Sequence, residues 1–490
     1  MDDRSNAREP LGPTWRTAGI AALLTCVVAI YNRFPLTYPD TGNYLDNAID
    51  LLHLTRPWIF FRPLTYGILL VPFANRLTIW FLPLVQGLLV ATSVALALST
   101  AEVRLSSRAF LVTFAALSLL TSLSWFSGQI MPDVLTPLVI LFSFVIVWTP
   151  ESAGSLRLGL VIGLLSVAVA GHLSHFPLYA TLLLGNIITR MVSETATCDW
   201  RSGAMLAARG AAPLLLAGLI VMVPNYVLDG KAVLSRSSQL FALGRLVGDG
   251  AVQRYLEHAC STRNYSLCAE RATLRADMDW FFWDPRGPRA RSAEAMAHGD
   301  STLLREAPLI VAGTLRQEWR AVLRRCLGDA AVQLVTFEVH PGEQAYSPSV
   351  DASVRRLGWG VEAAYAESRQ VRRVMPATLI SRVHYVVVCA SLLLILLNLS
   401  ALRDPLKRPL LGLAVAIGMG LVANAAILAS FSAIHPRYQS RVVWLVPLLG
   451  VVTAMQSFGA LRRAGRPPGQ HQQAPGPWPR PVRCGRAPRP

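Results

Sequence analysis

The sequence is 490 residues long, 53% hydrophobic and only 15% charged, with a mean hydropathy of +0.41. Soluble proteins of this length rarely have such a balance, because too much apolar surface would face water. The formal charge of +17 comes largely from arginines between apolar runs and in the C-terminal tail, which is the positive-inside pattern of membrane proteins. We therefore predict a polytopic membrane protein with no nucleic-acid partner.

Ten apolar runs are predicted to cross the membrane as helices, for which a span needs about 20 residues. Helices are favoured because lipid does not tolerate unpaired backbone groups and the sequence has no barrel-like alternation. The predicted spans are residues 17–33, 77–99, 109–126, 134–149, 158–175, 177–193, 210–228, 381–402, 409–433 and 442–459. The expected fold is all-α, with about ten transmembrane helices.

One apolar segment, residues 63–73 with the sequence PLTYGILLVPF, is too short to cross and has proline near both ends. If it is left out and the N-terminus is cytoplasmic, the arginine-rich connectors and the C-terminal tail all fall on the cytoplasmic side. This sorting favours ten spans, with 63–73 as a re-entrant or interfacial helix. The short connectors and the arginine preference fit a bacterial inner membrane with both termini in the cytoplasm, and an endoplasmic reticulum location, where Asn264 in NYS would be a sequon, stays open.

This topology divides the chain into five parts. They are a cytoplasmic N-terminus (1–16), a seven-helix membrane module (17–228) with a first outer loop (34–76), an extracytoplasmic, mainly helical loop domain (229–380), three C-terminal transmembrane helices (381–459) and a disordered basic cytoplasmic tail (460–490). Within the loop domain, Cys260 and Cys268 either form a disulfide, if the loop is extracytoplasmic, or remain free thiols. The aromatic run DMDWFFWDP in the same loop lies on the membrane surface, caps a groove or fills the core of the loop.

Acidic residues follow the first span in the stretch YPDTGNYLDNAIDLL, residues 38–52. At helical spacing Asp40 and Tyr44 share one face of a short helix, whereas Asp46 and Asp50 share another. Asp40 is either an ordinary helix N-cap or a carboxylate with a chemical function, and the stretch alone leaves both open.

Other polar residues lie at the predicted outer ends of apolar segments. Arg62 precedes the short helix and Tyr66 lies one turn into it, which is also the pattern of an interfacial anchor. Asp133 lies at the outer mouth of a span, where an acid is a candidate for function or a charge matched to the helix dipole.

Histidines and arginines complete this set at two further outer turns. His172 and His175, three residues apart, could bind a metal or simply form hydrogen bonds. The last outer turn contains His435, Arg437, Tyr438 and Arg441. Arginine is the side chain best matched to phosphate, through its forked and permanently charged donors. Together these residues indicate a site that opens to the outer membrane face.

The order of these motifs resembles the GT-C superfamily, the polytopic glycosyltransferases that use polyprenyl-phosphate-linked sugars, such as mannosyltransferases and aminoarabinose transferases. The stretches that carry the resemblance are PDTGNYLDNA, RPLTY, MPDVLT and HPRYQSRVVWLVP. It covers the first seven spans and the last pair, and most of 229–380 is unmatched. It implies a membrane enzyme that transfers a hexose or pentose from a polyprenyl phosphate to an acceptor hydroxyl on the extracytoplasmic face.

The resemblance also implies roles for individual residues. Asp40 would be the general base, and Asp133 a second catalytic residue. The donor phosphate would be bound by Arg437, Tyr438, Arg62 and Arg441. The substrates would be oriented by Tyr44, Tyr66, His172, His175 and His435. No cofactor and no metal ligand is assigned, and an optional divalent cation stays open.

Two other functions remain open at this point. One is a catalytically inactive GT-C-like protein that serves cell-envelope assembly through its outer loop. The other is a lipid or solute transporter, although transporters tend to place polar helix breaks near the bilayer midplane. The acceptor is a lipid, a glycan or a protein, and no motif in the sequence chooses among them.

Overall fold

The computed structural model describes residues 14–150, 154–193, 200–292, 301–339, 348–399, 402 and 408–464. Within these ranges the protein is helical and has no β-strand, only an isolated bridge between Leu36 and Gln129. This confirms the all-α prediction. The first 13 residues and the tail from residue 465 lie outside the described part, and with them most of the predicted cytoplasmic termini.

Helices α1 to α11 occupy the first half of the chain. They are Trp15–Thr25 (α1), Val27–Asn32 (α2), Thr41–Leu52 (α3), Leu64–Leu70 (α4), Phe81–Thr100 (α5), Ser107–Leu120 (α6), Leu123–Ser127 (α7), Leu135–Trp148 (α8), Ser155–Ala170 (α9), His175–Ser193 (α10) and Trp200–Asp229 (α11). Short 3-10 turns at Val71–Phe73 and Pro132–Val134 extend the ends of α4 and α8.

Helices α12 to α22 occupy the second half. They are Ser238–Gly248 (α12), Ala251–Ala259 (α13), Met278–Trp283 (α14), Pro288–Arg291 (α15), Thr302–Val335 (α16), Pro348–Arg356 (α17), Val361–Ala366 (α18), Ala377–Leu397 (α19), Arg408–Phe431 (α20), Pro436–Val443 (α21) and Leu445–Ala464 (α22). A further 3-10 turn covers Ser266–Glu270. The last helix runs to Ala464, past the end of the predicted final span at residue 459.

Six helical stretches among the described residues are long and apolar enough to cross a membrane. They are Trp15–Asn32, Phe81–Thr100, Gly203–Asp229, Ala377–Leu397, Arg408–Phe431 and Pro436–Ser457. Each coincides with one of the ten predicted spans, and together they indicate an integral membrane protein. The other four predicted spans are also helical, as α6, α8, α9 and α10, but α6, α8 and α9 have only 14, 14 and 16 residues.

The short apolar segment 63–73 forms α4 and the turn that follows it. It packs against α3, where Gly67 allows a close approach, because a Cβ added there would lie 2.9 Å from the Cβ of Asn47. The Tyr44 and Tyr66 rings meet edge to face across this contact, with centroids 5.1 Å apart. The segment is therefore short, as predicted, and it fixes α3 in place.

The predicted outer segments meet at one end of the helix bundle. The Leu36 amide donates to Gly128, and the Ile130 amide donates to Leu36, at 2.9 and 2.8 Å. Thr37 exchanges hydrogen bonds with Gln370, whose side-chain oxygen accepts from the Thr37 amide at 3.0 Å. The first outer loop and the turn before α8 are thus joined through backbone hydrogen bonds, and the Gln370 side chain joins the end of residues 229–380 to them.

Residues 229–380 contribute to two different hydrophobic cores. Helices α12, α13, α14 and α16 share a second core that includes Phe281 and Phe282 and also Phe61 of the first outer loop. Helices α17 and α18 instead join the core of the membrane bundle, where Val350 and Tyr365 belong to the same cluster as α3. A disulfide joins Cys260 to Cys268 within the first group, so the bonded alternative holds for this pair.

Candidate functional site

A cavity of about 790 Å³ lies where the predicted outer segments meet. One part of its wall is polar and consists of Asp40, Arg62, His172, Asp279, His435, Arg437 and Tyr438. A second part is apolar and comes from the ends of α10 and α20, with Phe176, Pro177, Ile427, Leu428 and Phe431. Aromatic rings of Phe61, Phe241 and Trp283 complete the wall. The cavity therefore combines charged groups with an apolar surface built by the ends of apolar helices.

Asp40 lies at the N-cap position of α3, but its side chain accepts no capping hydrogen bond from that helix. Its two carboxylate oxygens instead accept from Arg62 Nη2 at 2.8 Å and from Arg437 Nη2 at 3.3 Å. These contacts join α3, the segment before α4 and α21, which are far apart in the sequence. The carboxylate is therefore used for charge pairing and not for capping.

Two guanidinium groups face one carboxylate at this point, which leaves one positive charge uncompensated. Burial alone would raise the pKa of Asp40, but the neighbouring Arg62 and Arg437 outweigh it and hold the pKa below the ordinary value of an aspartate. The Asp40 carboxylate is 18% exposed, and the two arginines are 16% and 14% exposed. An anion beside Arg62 and Arg437 would therefore meet a locally positive, poorly solvated surface, and Asp279 is the other carboxylate on the cavity wall.

Arg437 has hydrogen-bonding capacity that this structure does not use. Its guanidinium carbon lies 3.8 Å from the Tyr38 ring centroid and 5.1 Å from that of Tyr438, so two aromatic faces hold it. Its Nε and Nη1 atoms are buried and find no acceptor among the described residues. Because a buried N–H group without an acceptor is costly, these donors favour a ligand with anionic oxygens.

The segment before α21 is fixed by a side chain of α16. Gln333 accepts a hydrogen bond from the His435 amide and donates one to the His435 carbonyl, both at 3.0 Å. The imidazole of His435 lies 3.9 Å from Asp279, and burial lowers its pKa below the ordinary histidine value. The Tyr438 hydroxyl shares a 2.9 Å hydrogen bond with Ser432. Together these contacts orient the polar wall.

Asp133 and Arg441 form a second carboxylate–guanidinium contact, which does not line the cavity. Arg441 donates to Asp133 at 3.1 Å and to the Asn424 side-chain oxygen at 3.0 Å. The Arg441 and Asp133 side chains are only 1% and 2% exposed. The structure thus places the predicted catalytic Asp133 and the predicted phosphate ligand Arg441 inside the bundle, behind the wall that carries Arg437.

The predicted orienting residues Tyr44, Tyr66 and His175 also lie behind the cavity wall. The Tyr66 hydroxyl donates to Gln86 at 2.8 Å, and His175 contacts Thr136 at 2.9 Å and the Ala168 carbonyl at 2.7 Å. Both nitrogens of His175 are therefore engaged by protein groups. These three side chains support the site from inside the bundle.

His172 lines the cavity and contacts its neighbours in the same turn. Its Nδ1 lies 2.8 Å from the Ser174 hydroxyl, and its ring lies 5.4 Å from that of His175, centroid to centroid. Among the described residues no group of three or more His, Cys, Asp or Glu side chains is arranged to hold a metal ion. In this structure the His172–His175 pair is engaged in hydrogen bonds.

The other acids of the opening stretch have a separate partner. Arg356 of α17 donates to Asp46 at 2.7 Å and to Asp50 at 2.5 Å, on the side of α3 away from the cavity. The Asp46 carboxylate is 38% exposed and Arg356 is 42% exposed. Asp46 and Asp50 therefore fix α17 against α3 at the surface.

The structure divides the eleven predicted site residues into two sets. Those that line the cavity are Asp40, Arg62, His172, His435, Arg437 and Tyr438, and those that lie behind it are Tyr44, Tyr66, Asp133, His175 and Arg441. Sequence reasoning missed Tyr38, which lies only two residues before Asp40 and stacks on Arg437. Burial raises the pKa of Tyr38 to about 12, so it stays a neutral phenol.

The aromatic run DMDWFFWDP, predicted to lie on the membrane surface, cap a groove or fill the core of the loop, does the second and the third. Phe281 and Phe282 fill the core shared by α12, α13, α14 and α16, whereas Met278, Asp279 and Trp283 line the cavity. Its aromatic composition was the signal that could have placed it at the site.

A comparison with known protein families, curated proteins and solved structures finds no match to this chain.

Proposed function

We propose that this protein is an integral membrane glycosyltransferase of the GT-C type, which transfers a sugar from a polyprenyl phosphate to an acceptor hydroxyl. The observation that carries the proposal is the position of Asp40 between Arg62 and Arg437 on the wall of a cavity whose apolar side comes from α10 and α20. A lipid phosphate needs both surfaces, because its head group is anionic and its chain is apolar.

In the proposed reaction the acceptor oxygen attacks the anomeric carbon of the sugar, and Asp40 takes the acceptor proton. The bond between that carbon and the phosphate oxygen breaks, and the polyprenyl phosphate leaves with the bonding electron pair. Arg437 and Arg62 stabilise the negative charge on the leaving phosphate. Asp133 and Arg441 hold the α21 backbone from inside the bundle and so act as positioning residues.

The resting contacts of Asp40 add a step to this mechanism. A carboxylate that is held by two guanidiniums is a weak base, because its pKa is lowered. A donor phosphate that binds Arg437 competes with Asp40 for the same guanidinium. Donor binding would therefore release part of the Asp40 carboxylate and raise its basicity when the acceptor arrives.

The proposal includes the membrane arrangement predicted from the sequence. We place ten spans in a bacterial inner membrane, with α6, α8, α9 and α10 crossing beside the six longer apolar helices and with both termini in the cytoplasm. The Cys260–Cys268 disulfide supports an oxidising compartment for residues 229–380, since such bonds persist outside the cytoplasm. The cavity would then open on the extracytoplasmic face.

The proposal is tested with purified protein in detergent or nanodiscs, radiolabelled polyprenyl-phosphate sugars and membrane acceptors. Wild-type protein is expected to form a covalent glycosylated product, and Asp40→Asn to lower its rate by about 100-fold or more. Asp46→Asn is the matched control, because Asp46 lies on the same helix but contacts Arg356.

Three outcomes would contradict the proposal. Equal rates for the wild-type protein and Asp40→Asn would remove Asp40 from the role of base. Movement of a labelled lipid across proteoliposomes without any covalent product would favour a transporter. Retained envelope assembly by the Asp40→Asn protein, through partners of residues 229–380, would favour an inactive GT-C-like protein.

A further inference from the structure

The end of α16 lies much deeper in the molecule than its sequence suggests. This helix has 34 residues and a mixed composition, and it is not among the six apolar helices. Just after its end, however, Phe337 packs in one cluster with Val388 of α19 and with Val443 and Val446 next to the start of α22. The Val339 amide donates to the Ser381 hydroxyl of α19 at 3.0 Å. The chain that leaves α16 is thus held between membrane helices.

The depth of this contact can be read from α20, along which α16 packs. Leu421 packs against the cluster that contains Phe337, and α20 ends at Phe431. At about 1.5 Å per helical residue, the interval from 421 to 431 is about 15 Å. This is about half of the hydrocarbon thickness of a bilayer, roughly 30 Å.

The exposed surface of α16 becomes apolar in its last turns, next to the cluster that contains Phe337. From residue 326 to its end, the exposed large side chains are Leu327, Val332 and Val335, at 65%, 49% and 62% exposure. The acid in this part, Asp329, is buried and bonded to Arg245 at 2.6 Å. A charge that is paired inside the protein does not prevent the outer surface of a helix from contacting lipid.

The preceding turns of α16 carry exposed cations. Arg316, Arg320 and Arg324 are exposed and form no ion pair among the described residues. Trp319 lies beside them, 53% exposed, with Arg320 5.3 Å from its ring centroid. Arginine and tryptophan at the end of an apolar surface mark the head-group level of a membrane, where the cation reaches the phosphates.

We propose that about the last three turns of α16, residues 326–335, enter the phospholipid leaflet on the side of residues 229–380. The arginines of the preceding turns lie at the level of the lipid phosphates. Continuity favours lipid over a protein partner, because this surface adjoins α19 and α20, whose Val386 and Val422 are also exposed. Residues 229–380 are therefore anchored in the bilayer at this helix, independently of the proposed chemistry.

Nitroxide labels on single cysteines of the full-length protein in phospholipid nanodiscs test this. The cysteines outside the 260–268 disulfide are first changed to serine, and the label is placed in Val332→Cys, Val335→Cys or Gln317→Cys. All three positions are exposed on α16, so the substitutions leave its core unchanged. Collisions with oxygen, which concentrates in lipid, are compared with collisions with a water-soluble nickel chelate.

The labels at 332 and 335 are expected to collide several-fold more with oxygen than with nickel, and the label at 317 to show the reverse. Equal accessibility to nickel at 317 and 335 would overturn the proposal. So would protection at 332 and 335 that persists in detergent and grows with protein concentration, because it would show a second copy of the chain on this surface.

Discussion

Two aspartate–arginine contacts lie near each other in this protein and differ in what surrounds them. Asp40 forms ion pairs with two arginines, is partly exposed and lies on the wall of a cavity. Asp133 contacts Arg441, which also binds Asn424, and neither member of the pair is more than 2% exposed. The first contact has spare positive charge beside a cavity, whereas the second is nearly sealed from solvent and ligands.

The comparison shows how the same pair of residue types can serve two purposes. A sealed ion pair stabilises a position only while both charges are present, because each alone would be buried without compensation. A pair on a cavity wall can exchange one partner for a ligand. Arg437 and Arg441 are four residues apart and share one face of α21, but Arg437 lines the cavity at the start of the helix, whereas Arg441, one turn further, is sealed inside the bundle.

Removing one member of the sealed pair should have the largest effect. Arg441→Met is expected to lower the free energy of unfolding by about 3–5 kcal/mol, because Asp133 would remain buried as an unpaired charge. The double variant Asp133→Leu with Arg441→Met should recover most of this loss. Thermal unfolding in detergent measures both, and equal losses in the single and double variants would contradict a sealed pair.

Removing the cavity-facing arginine should instead reduce catalysis. Arg437→Gln is expected to lower sugar transfer by about 10²- to 10³-fold, the effect of losing one donor to a developing negative charge. Its unfolding temperature should change less than that of Arg441→Met, because Asp40 keeps Arg62 as a partner. If Arg437→Gln unfolds like Arg441→Met but transfers sugar normally once folded, the two arginines are equivalent.

The pH dependence of the sugar-transfer rate should differ between the free protein and the donor-bound protein, because the pKa of Asp40 differs between them. In the free protein its pKa is lowered, so the acid limb of kcat/KM should lie below about pH 4, the ordinary range of an aspartate. The stabilising effect of the carboxylate is present above that range and is lost as the pH falls through the lowered pKa.

Donor phosphate on Arg437 should raise the Asp40 pKa, so the acid limb of kcat should lie at higher pH than that of kcat/KM. Initial rates across the acid range at low and saturating donor measure both limbs. Coincident limbs would show that the donor does not displace Arg437 from Asp40.

The smallest effect is expected at the exposed pair on the other side of α3. Arg356→Gln should change the free energy of unfolding by less than about 1 kcal/mol, since surface ion pairs are weak. Sugar transfer should be unchanged, because Asp46 and Asp50 face away from the cavity. A large loss of sugar transfer in this variant would mean that α17 positions the site, and that the ion pairs of Arg356 matter for function as well.

Local chain properties account for what could be predicted from the sequence. The apolar runs became helices because a helix satisfies its own backbone groups, and the short segment 63–73 stayed short because proline and length limit it. Asp40 stood out as an acid placed directly after a span. Six of the eleven predicted residues line one cavity for the same reason, since they lie at helix ends on one side of the bundle.

Contacts between distant parts of the chain could not be predicted in this way. Asp133 and Asp40 looked alike in the sequence, and only the packing of α21 decided that one is sealed and the other open. Arg356 is about 310 positions from Asp46, and no local pattern announces that contact. Topology alone predicted an extracytoplasmic loop domain over residues 229–380, and no local pattern indicates that the chain after α16 packs between α19 and α22.

The paired hydrogen bonds of Gln333 have a mechanical consequence. The Gln333 side chain accepts from the His435 amide and donates to the His435 carbonyl, which is the pairing that two neighbouring β-strands make. These two hydrogen bonds couple the position of α16 to that of the segment at His435. Arg437 follows two residues later on the same short helix. If the end of α16 lies in lipid as proposed, a change in bilayer thickness is expected to shift α16 and, through Gln333, the segment that positions Arg437.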